Sequence, residues 1–162
     1  MGAGKRTVKA LGAGGPLPAL EEDFHAWCVS QANALRARQS RVIDWAGLAE
    51  ELEDMGRKDR SRLRSHLTNL LCHLLKWAYQ PGLRSNGWRA TINASRDSIE
   101  DLLEESPSLR NILRGLFEES KAYSRAVRDA IVDTDKKVRF PASSPWALDR
   151  ILDSDFLPDP GE

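Results

Sequence analysis

Cysteine, methionine and histidine are scarce in this chain of 162 residues, which has two Cys, two Met and three His. Cys28 and Cys72 sit inside helical patterns without metal-ligand or redox spacing, which suits two small buried thiols in a reducing cytoplasm. There is no surplus of either charge, since Lys+Arg and Asp+Glu both number 24. Global charge therefore points to neither nucleic acid nor an acidic partner, and any such argument has to rest on local patches. No apolar run approaches the ~18 residues that a membrane span needs, so no membrane association is expected. No serine stands in a Gly-x-Ser-x-Gly elbow, and neither cysteine has an evident His partner, so a nucleophilic enzyme has the least support. What is present is ordinary for a folded globular chain: 41% hydrophobic and 30% charged residues.

The first 19 residues are rich in Gly, Ala and Pro, lack periodicity and are expected to form a flexible tail. Gly4-Lys5-Arg6-Thr7 imitates the end of a phosphate loop, without the upstream Gly, the preceding strand or a Ser/Thr directly after Lys. Met1-Gly2 imitates a myristoylation start, but Arg6 fills the required Ser/Thr position. No apolar stretch of a secretory signal is expected there.

From residue 20 the pattern is helical. A first helix is expected over 21–39, carrying Phe24, Trp27, Cys28, Gln31 and Leu35 at steps of three and four. Asp44 is a plausible N-cap for a second helix whose inward face reads Trp45, Leu48, Leu52 and Met55. Its outer face is acidic (Glu50, Glu51, Glu53, Asp54), and the sign then flips at Arg57, Lys58, Arg60, Arg62 and Arg64. Cations are disfavoured at a helix N-terminus. Gly56 can therefore be a break before a third helix or a point inside one long bent rod.

The strongest apolar face follows, with Leu63, Leu67, Leu70, Leu71, Leu74 and Ala78 at about 100° per residue. It is either the centre of a bundle or half of a homodimer seam. His66, His73 and Trp77 lie on its flank, and Pro81-Gly82 ends the helix. A fourth helix is expected from about Gly87, with Trp88, Ile92, Ser95, Ile99 and Leu102 inward and Arg89, Arg96, Asp97 and Glu100 outward. Ser106-Pro107 reads as an N-cap with Pro at the first position. A fifth helix of some seven turns then runs from Leu109 to Ile131. After an extended segment at Phe140-Pro141, Ser144-Pro145-Trp146 starts a short helix through Leu152, and 159–162 form a frayed acidic end. No stretch alternates with period two, so the expected fold is all-α: an antiparallel bundle of four to five long helices plus a short C-terminal helix, one domain over 20–158.

Three blocks carry a family resemblance: WAGLAEELEDMG at 45–56, HLLKWAYQPGLRSNGW at 73–88 with Arg89-Ala90-Thr91-Ile92, and Ser106-Pro107-Ser108-Leu109. They are joined by Phe140-Pro141, Pro145-Trp146 and DFLP at 155–158. Together they make residues 20–158 resemble the bacterial family catalogued as domain of unknown function 29. Asn86-Gly87 departs from it, giving a more flexible loop before Trp88. The resemblance implies an all-helical bundle in a bacterial cytoplasm, and no reaction, ligand or catalytic residue.

Two constellations stand as candidates for function. Lys76, Arg84, Arg89 and Arg96 cluster with Trp77, Tyr79 and Trp88 around a helix turn, where arginines beside aromatics can hold an anion or a stacked base. On this reading the chain is a small regulatory or interaction module presenting Lys76, Arg84, Trp88, Arg89 and Arg96 to a protein, nucleic-acid or other anionic partner. The bland counterpart has the tryptophans clamping the turn from inside and the arginines paired with the acids of 50–54. The second constellation is a divalent-metal site using His73 with Glu50 and Glu53 from a facing helix, as in carboxylate bundles, and it would make the chain a metal-dependent hydrolase. His66 cannot share a metal with His73, because two turns put them about 10 Å apart. A hydrogen-bonded histidine on a helix flank is the commoner case. Glu50-x-x-Glu53 and Glu51-x-x-Asp54, with Glu100/Glu104 or Glu118 opposite, also fit a magnesium-dependent pyrophosphohydrolase, but any solvated helix face supplies such pairs.

Overall fold

The computed structural model describes residues 19–132 and 138–159, and every regular element among them is helical. The fold is an all-α helical bundle. Except for Ala19, the expected N-terminal tail lies outside the described residues, as do residues 160–162 of the expected frayed end. The chain divides into two compact units, Met1–Glu53 and Asp54–Glu162.

In the first unit, α1 spans Phe24–Arg36, shorter at both ends than the periodicity predicts. Asp23 caps its start by accepting from the Ala26 N–H at 2.9 Å. Arg38 ends it in a left-handed conformation, φ 55. The Arg38 and Gln39 amides there return to the carbonyls of Leu35 and Ala34, the closing pattern usually given to glycine. A single turn of 3₁₀ helix at Ser40–Val42 leads into α2. Asp44 is the N-cap the sequence proposes: its carboxylate accepts from the Gly47 N–H at 2.9 Å and from Trp27 Nε1 at 3.3 Å. A Cβ at Gly47 would collide with that carboxylate and touch Trp27, so the close approach requires glycine.

α2 spans Trp45–Tyr79 without interruption and so belongs to both units. Gly56 is therefore neither break nor cap. The uncut helix removes the conflict over Arg57 and its neighbours, which stand in mid-helix rather than at a disfavoured N-terminus. Arg57 pairs with Asp54, and Arg62 with Asp59 at 3.5 Å, each one turn apart and exposed, so neither adds much stability. A Cβ on Gly56 would meet nothing within 4 Å. Gly56→Ala is therefore expected to raise stability by about 1 kcal/mol, the helix-propensity difference, read as a higher denaturant midpoint at unchanged slope. Gly47→Ala should lower it.

One expected face is corrected here. Trp45, Leu52 and Met55 are 61%, 67% and 61% exposed. Their spacing marks a helical stripe, but periodicity does not say whether anything covers it.

The second unit holds the core. Leu63, Leu67, Leu70, Leu71 and Leu74 are fully buried within the chain, which makes this face a bundle centre rather than a homodimer seam. Around them pack Ile92, Ile99 and Leu102 of α3 (Asn86–Glu105), Leu109, Leu113 and Leu116 of α4 (Leu109–Glu118), and Tyr123, Ala126 and Ala130 of α5 (Lys121–Val132). Ile151 of α6 (Leu148–Leu152) and Phe156 complete it, with Trp146 edge-on to Phe156 at 5.9 Å. Ser85 caps α3 by accepting from the Trp88 N–H at 3.3 Å.

The long fifth helix expected after Leu109 is two helices. Ser120 adopts φ 54 and its amide returns to the Phe117 carbonyl, which ends α4 with neither Gly nor Pro. The two Ser-Pro start signals also fall short. α4 begins at Leu109, its entry turn closed by the Leu109 amide on the Ser106 carbonyl at 2.9 Å. Ser144 folds onto Trp146, accepting from its amide and donating to its carbonyl, and α6 starts only at Leu148. Tyr123, buried, donates to the Pro141 carbonyl at 2.9 Å. Its phenol is pushed up to about 12, first by burial and then by Tyr79.

Candidate functional site

The basic and aromatic residues of the turn between α2 and α3 are placed differently from the surface the sequence suggests. Lys76 is 5% exposed and lies over the Trp88 ring at 4.8 Å. This is a buried cation–π contact in the last turn of α2, where a cation also suits the helix dipole. Arg84 lies over the Trp77 ring at 5.0 Å. Its Nε donates to the Trp77 carbonyl at 2.8 Å and its Nη2 to the Pro158 carbonyl at 3.2 Å. It thus satisfies one of the open carbonyls at the end of α2.

Arg96, expected outward, is 6% exposed. Its Nε donates to the Ile151 carbonyl at 2.9 Å, Nη1 to Ser154 at 3.2 Å and Nη2 to Phe156 at 2.6 Å. The planar fork of a guanidinium suits three acceptors spread over one turn of chain in a way an ammonium does not. Burial holds its pKa below the usual value, partly opposed by Asp153 and Asp155. Lys76 and Arg96 are thus corrections to the presented surface: both are internal, held by a ring and by carbonyls. Of the five residues proposed for it, Arg89 is the exposed one.

A groove of about 540 Å³ opens along α3 beside these contacts. Arg89, Asn93, Arg96, Asp97 and Glu100 line it at helical spacing, above an apolar floor of Ile99, Leu103 and Leu152. Arg110 of α4 closes one side, and Ser154 and Asp155 form a wall from the C-terminal segment. Among the described residues, none of its three arginines lies within ion-pair distance of a carboxylate. The bland expectation that arginines pair with the acids of 50–54 holds for Arg57, which pairs with Asp54, whereas Arg84 and Arg96 bind carbonyls. Arg110, Asn93 and the wall were missed by sequence reasoning. Only the tertiary fold brings 110 and 154–155 to α3.

The expected metal ligands are arranged otherwise. Glu50, Glu53 and His73 all lie on α2, not on facing helices. His73 Nδ1 is 3.0 Å from the Asn69 carbonyl, and His66 lines a separate shallow groove with Asn69, Thr91 and Ser95. Among the described residues, no group of three or more His, Cys, Asp and Glu side chains is placed to hold a metal ion. Nor is any helix there long and apolar enough to cross a membrane.

The family described as "Domain of unknown function DUF29" matches residues 20–157. The chain belongs to this family. No curated protein and no solved structure matches it. The matched span includes every residue of the groove and both arginines that hold the C-terminal segment of this DUF29 chain.

Proposed function

We propose that this DUF29 chain is an interaction module that receives an acidic side chain of a partner protein segment in the α3 groove. The observation that carries this is Arg96, a desolvated cation on the groove lining whose hydrogen bonds all go to neutral carbonyls. Asp153 and Asp155 offset its burial only in part and none of its hydrogen bonds reaches a carboxylate, while an ionised acceptor binds guanidinium more strongly than a neutral one. Two of its five N–H groups are left over from the three bonds formed. Arg89 and Arg110 add charge at the rim. Asp97, Glu100 and Asp155 share the lining; they oppose the repeated phosphates of nucleic acid and favour a peptide carrying both signs. Cys28 and Cys72, neither of them in a disulfide, fit a reducing cytoplasm.

Titration of isotope-labelled protein with N-acetyl-Asp-Lys-amide, and separately with an oligothymidine, tests this by NMR. The peptide should shift the Arg89, Arg96 and Arg110 Nε–H resonances at millimolar concentration, and Arg89→Ala with Arg110→Ala should weaken it about tenfold, roughly 1.4 kcal/mol. No shift along α3, or tighter binding of the oligothymidine, would sink the proposal.

A further inference from the structure

We propose that the C-terminal segment is a movable wall of the groove, and that Arg84, outside the groove, is the positioning residue that latches it. This rests on the reading of the groove as a binding site. The segment's own amides turn inward: Asp153 N–H bonds the Arg150 carbonyl, Phe156 N–H the Asp153 carbonyl, and Asp155 N–H the Asp153 carboxylate. Its carbonyls turn to the two arginines. Those of Ile151, Ser154 and Phe156 accept from Arg96, and that of Pro158 from Arg84.

Apolar anchors stand at the two ends, Ile151 on one side and Phe156 with Pro158 on the other, all buried. Between them Ser154 and Asp155 are exposed and supply the groove wall. Arg96 touches both the wall and the groove, so a ligand acid on its remaining N–H groups and the docked segment share one guanidinium. A ligand that touches the wall binds the docked state better than the undocked one. The ligand's gain from the wall outweighs the N–H groups that undocking would free on Arg96, so on this proposal it tightens docking, and docking tightens the ligand by the same factor. Arg84 bonds the segment at the Pro158 carbonyl and shares no part of the groove lining.

Hydrogen exchange of residues 151–158 and the affinity for N-acetyl-Asp-Lys-amide, measured on the full chain, test the linkage together. Arg84→Ala should speed exchange in 151–158 several-fold and weaken the peptide several-fold, while the amides of α3 keep their protection. Arg84→Lys, which keeps the cation, should recover part of both effects. In the wild type, saturating peptide should slow exchange in 151–158. If the wild type binds the peptide but Arg84→Ala leaves affinity unchanged while the segment loosens, the wall is not part of the site and the linkage is wrong. Unaltered exchange on peptide saturation overturns it equally. If the wild type does not bind the peptide, the groove reading itself falls, and the linkage falls with it.

Discussion

Arg96→Ala should lose about 2–4 kcal/mol of folding stability, because it leaves buried backbone carbonyls without their charged donor. Three carbonyls lose their donor together, and those of Ile151 and Phe156 accept in bonds that are themselves buried. Each buried acceptor left unpaired costs about 1–3 kcal/mol. The loss is less than the sum because the mutant no longer has to desolvate a guanidinium, whose pKa burial already lowers. Arg96→Met keeps most of the packing volume and should recover a minor part. Arg96→Lys should recover little, since an ammonium cannot span the carbonyls of Ile151, Ser154 and Phe156 at once. Denaturant unfolding checks the size, and hydrogen exchange checks the place, because residues 151–158 should open first. A loss below about 1 kcal/mol would mean that solvent reaches those carbonyls in the folded state.

Why Arg96 was read as outward explains much of what the sequence does and does not disclose. An arginine one step off an apolar helical stripe is normally solvated, and nothing local to it says otherwise. Its acceptors stand 55 to 60 residues further on, at the end of α6 and in the irregular segment after it. The same holds for Arg110, which joins the groove only through packing of α4 beside α3. Local signals fared better. The leucines from Leu63 to Leu74 are core because their spacing matches the helix and their number leaves no other place for them. Asp44 caps α2 because a short carboxylate before an apolar stretch reaches its first amides. The Ser120 break was illegible, since a serine at φ 54 carries no signal of the kind Gly or Pro gives. Sequence patterns thus gave the helices and the centre of the second unit, whereas contacts between distant segments made the groove.

The other large effect separates two apolar stripes that lie on one helix and look alike in sequence. Leu74 has no exposed surface and Leu52 is 67% exposed. Leu74→Ala removes a side chain from a closed core and leaves a cavity, so about 3–4 kcal/mol should be lost, within the usual range for buried leucines. Leu52→Ala removes a side chain already in water and replaces it with a better helix former, so its effect should stay within about 0.5 kcal/mol. Denaturant melts of both variants at one protein concentration read the difference directly. Repeating the Leu52→Ala melt at high and low concentration extends the test to Trp45 and Met55 beside it. A loss above about 1.5 kcal/mol that grows with concentration would mean another copy of the chain covers this stripe in solution, because only association makes stability concentration-dependent. A loss of that size at every concentration would mean the stripe is packed within the chain. The exposure of Trp45, Leu52 and Met55 predicts neither.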